Sequence, residues 1–352
     1  MPKKKIKVFL GGYINSINAQ NLNCRALAQH LDKSKFQVLT LSLYSGSLPS
    51  ITGARTFRCF WPHKLSAYMG YLWGIWNADV VYLPKQELVF WNQCLIKLFG
   101  KVSFTTLEGV IDGTNLDKAL SFYHSTERMR STLEHFTRVF SITAFMRKKN
   151  WELHRFTTQE KILCLGVDIS VFTSSAKKKL SEIVLIGNNL KHKGWEDYMA
   201  LAYNFPELQF HVVGTGNGFL IPEEEVRKKN LENVSCHGLL NHHSLNELLQ
   251  QIQLLVFPSR SEGFPKVTLE AACAGVPSLV YSDYGAEEWI THNKNGFVVD
   301  TLDEMKETIS RLQKEQEKLS AVSKSAVELG KSFDWSKKVK DWEQVIEQLA
   351  KA

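Results

Sequence analysis

The alternation of apolar strands with helix-like segments constrains the fold most, because it runs through the chain twice. The first half contains the predicted strands KIKVFLGG, FQVLTLSLY, ADVVYLP, KVSFTTLEG and RVFSIT, and the second half contains SEIVLIG, LQFHVVGTG, NVSCHG, LLVFPS, PSLVYS and GFVVD. Near-continuous apolar strands separated by helices are typical of parallel sheets covered on both faces. We therefore predict an α/β chain with two doubly wound sheets in tandem, whose strand carboxyl ends face a cleft.

A loop and a lysine run, GVDISVFTSSAKKK at 166–179, divide the two halves. A chain of 352 residues is long enough for two domains of ordinary size. We predict a first domain over 1–166, a second over 167–332, and a C-terminal segment over 333–352. That last segment has apolar residues at the spacing of an amphipathic helix: Trp335, Val339, Trp342, Ile346 and Leu349.

Composition indicates a cytoplasmic protein. No apolar stretch approaches the roughly 18 residues that span a bilayer. The start, MPKKKIKVFLGG, has the charge of a signal peptide, but its apolar run is short and ends at two glycines, so we interpret it as a first strand. The six cysteines are scattered without paired spacing, which predicts buried thiols in a reducing compartment.

Charge is unevenly distributed. Residues 1–173 contain 22 Lys or Arg and 11 Asp or Glu, whereas the rest contains 21 and 25. The basic half suggests an anionic partner, such as a membrane surface, a lipid phosphate or an acidic glycan. Charge that serves solubility alone is the alternative. We do not expect a nucleic-acid partner, because no helix-turn-helix or single-strand-binding pattern is present.

The segment Pro258–Glu270, PSRSEGFPKVTLE, is the most informative for function. It follows a buried strand and leads into a helix, so its loop presents free N–H groups and the positive end of a helix dipole at one point. Glu262 lies in the loop and Glu270 lies in the helix. A phosphate site flanked by two carboxylate acceptors for hydroxyl groups fits a nucleotide sugar.

This segment resembles the Glu-x7-Glu signature of retaining glycosyltransferases of family four, which have the GT-B fold. Other matching segments follow in the same order along the chain, strongly over 180–300 and weakly before 165. The resemblance implies two Rossmann-like domains, with the last helix crossing back to the first. It also implies a metal-independent, retaining transfer from a nucleotide-diphosphate sugar to a glycan, lipopolysaccharide or lipid-linked acceptor in surface polysaccharide synthesis.

The resemblance also implies roles for individual residues. Glu270 would accept hydrogen bonds from the ribose, Glu262 would hold hydroxyls of the transferred sugar, and Lys193 would neutralise the departing diphosphate. The remaining donor-binding positions are Gly12, beside the phosphates, Leu240, beside the base, and Gly263, Phe264, Lys266 and Val267, around the sugar and distal phosphate.

Two positions depart from the family pattern. Asn188 stands where Arg is usual, which removes one phosphate-binding cation. Glu108 stands where a His is common; it would hydrogen-bond a sugar hydroxyl, act as a base toward the acceptor, or have no chemical role. The departures motivate one alternative, a non-catalytic scaffold of the same fold. A DNA or protein glycosyltransferase is another.

We expect no cofactor and no metal. The chain contains no Asp-x-Asp element, the usual divalent-metal binder of the other major glycosyltransferase fold, so lysine and a helix N-terminus would serve instead.

An aromatic band lies between Trp61 and Trp91, and contains Trp61, Tyr68, Tyr71, Trp73, Trp76 and Trp91. In a parallel α/β domain we expect most of these side chains in the core. Contact with an acceptor or a membrane is the alternative.

Overall fold

A computed structural model describes residues 4–85, 87–175, 177, 179–216, 220–282 and 284–351. The chain forms two compact units: the first combines Met1–Gly166 with Trp335–Ala352, and the second is Val167–Asp334. Each is a parallel sheet covered by helices. The predicted fold class, α/β with two Rossmann-like, doubly wound units, is confirmed.

The first unit is built on a parallel sheet in which the described strands are ordered β3-β2-β1-β4-β5-β6. The strands are β1 Ile6–Tyr13, β2 Phe36–Ser42, β3 Ala54–Arg58, β4 Val80–Tyr82, β5 Val102–Leu107 and β6 Arg138–Ser141. The helices are α1 Ala19–His30, α2 His63–Asn77, α3 Val89–Leu98, α4 Gly113–Tyr123, α5 Thr126–Glu134 and α6 Ala144–His154. The strand order reverses between β1 and β4, and ligands of such sheets bind beyond the strand ends at that point.

The second unit repeats the same order along the chain, β12-β11-β10-β7-β8-β9 among its described strands. The strands are β7 Glu182–Ile186, β8 Gln209–Val213, β9 Val234–Cys236, β10 Leu254–Phe257, β11 Ser278–Tyr281 and β12 Phe297–Val299. The helices are α7 Trp195–Asn204, α8 Pro222–Lys228, α9 His242–Gln251, α10 Lys266–Cys273, α11 Leu302–Lys314 and α12 Gln316–Ser332. Here the order reverses between β7 and β10.

The last helix, α13 Trp335–Leu349, belongs to the first unit. Its apolar stripe is buried, with Trp342 against the rings of Tyr82 and Phe104. The Trp342 indole N–H donates to the Cys164 carbonyl at 3.0 Å. The amphipathic spacing of this segment is thus explained by burial on the first sheet.

One strand was not predicted from the sequence, and two expectations are wrong. The edge strand β3 was not predicted, because its polar ARTFR sequence lacks the apolar run of the central strands. The thiols are all free, but only Cys24, Cys59 and Cys273 are buried, whereas Cys164 and Cys236 are partly buried and Cys94 is exposed. In the aromatic band only Tyr71 is fully buried; Trp61, Tyr68, Trp76 and Trp91 are exposed.

Candidate functional site

The two loops at the strand-order reversal of the second unit lie against each other. One follows β7 and leads to α7; the other follows β10 and leads to α10. Gly194 permits this contact: its φ is 85°, and a Cβ there would lie 2.2 Å from the Pro258 carbonyl oxygen. Only glycine tolerates both conditions. The close approach brings residue 193 beside the Glu262 loop.

Lys193 and Glu262 form a tight ion pair between these loops. The Lys193 Nζ lies 2.7 Å from Oε1 and 2.8 Å from Oε2 of Glu262. The two side chains are only 19% and 8% exposed, so their attraction is screened less than that of a surface pair. The ammonium also lies 5.4 Å from the centre of the Phe257 ring.

Ser259 is a third member of this cluster. Its buried hydroxyl donates to Glu262 Oε1 at 2.6 Å. Both oxygens of the carboxylate therefore have a donor, which fixes its orientation without a ligand. We missed Ser259 in the sequence, although its place directly after a buried strand was a signal that could have identified it.

Glu270 lies in the second turn of α10 and is partly buried. Burial raises the pKa of its carboxyl, and the charges of His242 and Lys266 oppose that rise. Within the described ranges, no hydrogen bond joins Glu270 to Lys193 or Glu262. Glu270 is thus separate from the Lys193–Glu262 pair and is influenced by the charges of His242 and Lys266; His242, at the start of α9, was missed in the sequence.

The backbone at the start of α10 provides several donors. The Lys266 N–H donates to the Phe264 carbonyl at 2.8 Å, so it is already engaged. Among the described residues, the N–H groups of Gly263, Phe264 and Val267 have no acceptor outside regular helix bonds. The Phe264 ring packs on Trp289 at 5.2 Å between ring centres. The loop is therefore held in place by an aromatic contact while backbone donors remain available for an anion.

Asn188 and Leu240 follow the ends of β7 and β9, which are separated in this sheet by β8. Asn188 follows β7 and is exposed, and Leu240 follows β9 and is partly buried. Arg260 does not supply the missing cation in this arrangement, because it stacks on Tyr281 at 4.1 Å and pairs with Asp197 at 3.4 Å. Lys193 is partly buried and is the cation that pairs with Glu262.

Glu108 lies in the first unit, directly after β5. Its carboxylate accepts hydrogen bonds from Asn23 Nδ2 at 2.9 Å, Tyr82 Oη at 3.2 Å and Thr106 Oγ1 at 3.1 Å. Gly12 is buried nearby, where a Cβ would lie 2.8 Å from the Cys24 sulfur. The close packing of β1 on α1 is thus one physical reason for glycine at position 12.

A cavity of about 740 Å³ opens beside Glu108 within the first unit. Its wall is apolar where Tyr123, Met129 and Leu133 line it, and polar where Lys85 and Glu108 line it. Burial lowers the pKa of the Lys85 ammonium, and Glu87 opposes that effect. Lys85 was missed in the sequence, although it follows β4 at the strand-order reversal.

No three His, Cys, Asp or Glu side chains cluster as metal ligands in the part of the chain that the structure describes. Metal independence stays a prediction. The described helices include none that is both long and apolar enough to cross a membrane.

The second unit matches a known protein family. Residues 168–328 match the model of the family "Glycosyl transferases group 1". A 2-deoxystreptamine N-acetyl-D-glucosaminyltransferase of Niallia circulans is 30% identical over 137 residues, which is 37% of this chain and 35% of that protein. Alignments with three curated relatives cover 35%, 48% and 50% of those proteins, so the chain spans half of their length or less.

Solved structures match the whole fold. The sucrose-phosphate synthase of Thermosynechococcus elongatus superposes with a TM-score of 0.80 at 16% identity, over 98% of this chain and 99% of that one. HepE of Anabaena, in complex with UDP and glucose, gives a TM-score of 0.75 at 15% identity, over 99% and 100%. At these identities the likeness shows the fold, which is GT-B.

Proposed function

We propose that the protein is a glycosyltransferase, because residues 168–328 match the model of the group 1 glycosyltransferases and the chain has the GT-B fold. It moves a sugar from a nucleotide-diphosphate donor to a glycan, lipopolysaccharide or lipid-linked acceptor in surface polysaccharide synthesis. The observation that supports this most is the Lys193–Glu262–Ser259 cluster beside free N–H groups, because it places a cation, sugar-hydroxyl acceptors and anion donors at one strand-order reversal.

The donor binds to the second unit in this proposal. Glu270 accepts from the ribose hydroxyls, and Glu262 accepts from hydroxyls of the sugar. The Lys193 ammonium and the N–H groups of Gly263 and Val267 donate hydrogen bonds to the diphosphate. Since Lys193 is already paired with Glu262, the incoming phosphate must share that ammonium. The complex of HepE with UDP and glucose makes UDP-sugars the first donors to test.

The transfer retains the anomeric configuration and needs no metal. The acceptor hydroxyl attacks from the face that the nucleotide leaves, through an oxocarbenium-like state. The protein supplies no nucleophile. Catalysis depends on stabilising the negative charge that develops on the leaving phosphate, and Lys193 with the backbone donors performs that task.

The acceptor binds to the first unit, in the cavity beside Glu108. A cavity with one apolar and one polar wall suits an acceptor that has both an apolar part and hydroxyl groups. Glu108 already accepts three hydrogen bonds, so its position is fixed before the acceptor arrives. We assign it the role of orienting the acceptor hydroxyl.

The protein works in the cytoplasm, at the inner face of a membrane. The excess of basic residues in the first half supports attraction to anionic lipid, and a lipid-linked acceptor would be presented there.

A thermal-shift panel of UDP, GDP, ADP, dTDP and CMP, with their sugars, tests the donor proposal. A ligand at 100 times its Kd adds about 2.7 kcal/mol of stability. We expect one nucleotide to raise Tm selectively, Glu270→Ala to abolish that rise, and Glu307→Ala, an exposed acid of α11, to retain it. If no nucleotide shifts the wild type, the donor proposal is wrong and a non-catalytic scaffold becomes the better account.

A further inference from the structure

We infer that an aromatic face on α2 and α3 of the first unit is the surface that docks the protein on an anionic lipid bilayer. The face consists of Trp61, Leu65, Tyr68, Leu72, Trp76 and Trp91. Their exposed fractions are 78%, 55%, 40%, 38%, 60% and 39%, respectively. This inference rests on the proposed association with a membrane, and it assigns that association to particular residues.

Helix α2 exposes large apolar side chains, which an ordinary surface helix would bury. Leu65, Tyr68, Leu72 and Trp76 follow one another at steps of three and four residues, so they lie on one side of the helix. The buried side consists mostly of small residues, namely Ser66, Ala67, Gly70 and Gly74. The large apolar side chains are therefore not needed for packing on the sheet, and a contiguous exposed apolar patch of this kind marks an interaction surface.

Helix α3 extends the same face. The Trp91 ring meets the Tyr68 ring edge-on, with 5.5 Å between their centres. Trp and Tyr are the residues enriched at the boundary between hydrocarbon and water, because each combines an apolar ring with a polar N–H or O–H.

The positive charge around the aromatic face favours an anionic partner. Residues 33–107 contain eight Lys or Arg and two Asp or Glu, and neither α2 nor α3 contains an acidic residue. Lys64 lies one turn before Tyr68 on α2, and Lys97 lies less than two turns after Trp91 on α3, so both cations belong to the helices that carry the face. Both are exposed, and neither forms an ion pair with another described residue.

This charge pattern favours lipid over a second copy of the chain. In a two-fold symmetric dimer the same surface would meet itself, so Lys64 and Lys97 would approach like charges without an acid to neutralise them. An anionic bilayer supplies both an apolar layer for the rings and a negative surface for the lysines.

Co-sedimentation of the full chain with vesicles tests the assignment. The vesicles are phosphatidylcholine alone, or phosphatidylcholine mixed with phosphatidylglycerol, at low and high salt. We expect binding to the mixed vesicles only. Leu72→Ser with Trp76→Ser should weaken it at least about tenfold. The matched control, Trp151→Ser with Leu153→Ser, changes a Trp and a Leu that are equally exposed on α6, and it should bind like the wild type.

A second pair of variants tests the electrostatic part without removing apolar surface. Lys64→Gln with Lys97→Gln should bind mixed vesicles about 30-fold more weakly at low salt, from the loss of two surface charges. That difference should disappear at high salt, where the charges are screened.

Three results would overturn the inference. Equal binding by the aromatic-face and control variants would place the docking surface elsewhere. A lipid-free dimer that the Leu72→Ser/Trp76→Ser variant dissociates, measured by sedimentation velocity, would assign the face to a second copy. No vesicle binding by the wild type would remove the membrane association altogether, while the nucleotide-induced rise in Tm would still decide the donor proposal separately.

Discussion

The two units share one strand order, yet the loops at their strand-order reversals differ in chemistry. In the second unit, the Lys193 ammonium and the Ser259 hydroxyl hold the Glu262 carboxylate beside backbone N–H groups that are available to a ligand. In the first unit, the corresponding place opens into a cavity of about 740 Å³ with a largely apolar wall. The fold therefore determines where a ligand binds, and the loop residues determine which ligand it is.

The first prediction concerns the second unit and has the largest expected effect. Lys193→Ala should lower kcat/KM by about 100- to 1000-fold, because it removes the cation that stabilises the leaving phosphate. It should also lower the free energy of unfolding by up to about 3 kcal/mol, since Glu262 is left buried without its partner. Initial rates with a soluble acceptor and thermal unfolding measure the two effects.

Lys191→Ala is the control for that variant, because Lys191 is exposed on the same loop and forms no ion pair with another described residue. Equal activity of the two variants would show that Lys193 has no special role at the phosphate.

The second prediction concerns the first unit. Met129→Ala removes apolar contact from the cavity wall, so the acceptor KM should rise about tenfold while the Kd of the nucleotide stays unchanged. Because Met129 is buried, the free energy of unfolding should also fall by about 2 to 5 kcal/mol. Leu153→Ala, at an exposed position of the same unit, is the control. A change in nucleotide Kd would contradict the division of labour between the units.

The third prediction follows from the raised pKa of Glu270. The ribose hydroxyls need an ionised acceptor, so at pH values below that raised pKa a proton must leave when the nucleotide binds. Affinity should therefore increase several-fold with pH, by at most about tenfold per unit, and level off above the pKa. Titration calorimetry across the acidic range measures this slope.

Glu270→Gln isolates that effect, because every other ionisable group is the same in both proteins. The variant should bind more weakly and with a flatter pH dependence. It should also be at least as stable as the wild type at neutral pH, since a carboxyl with a raised pKa loses its stabilising contribution as pH rises. An unchanged slope in the variant would mean that Glu270 does not contact the ribose.

The smallest effect is expected from metal removal. Because Lys193 and the backbone donors of the α10 loop serve the phosphate in this account, EDTA should change the initial rate by less than about twofold. Loss of turnover in EDTA that Mg²⁺ restores would show that a cation is shared between the protein and the donor.

The sequence predicted the second unit better than the first, for physical reasons. Short loops between buried strands have few conformations, so the spacing of Glu262 and Glu270 was enough to indicate a strand, a loop and a helix. Lys193 and His242, which act on Glu262 and Glu270, are distant from them in sequence, so those contacts follow only from the packing of the loops. Ser259, by contrast, lies three residues before Glu262. The edge strand β3 escaped prediction because its polar sequence lacks the apolar run of a central strand. The outward-facing aromatics of α2 escaped prediction because small residues occupy much of the buried side of that helix.

Hydrogen exchange with and without a saturating UDP-sugar is the most direct test of the account. We predict slower exchange in the loops at 187–194 and 258–267 and at the Glu270 turn of the second unit, with little change along the cavity at 105–111 and 119–136. Protection of the cavity segments by the nucleotide alone, without protection of the second-unit loops, would contradict the assignment of the donor to Lys193, Glu262 and Glu270.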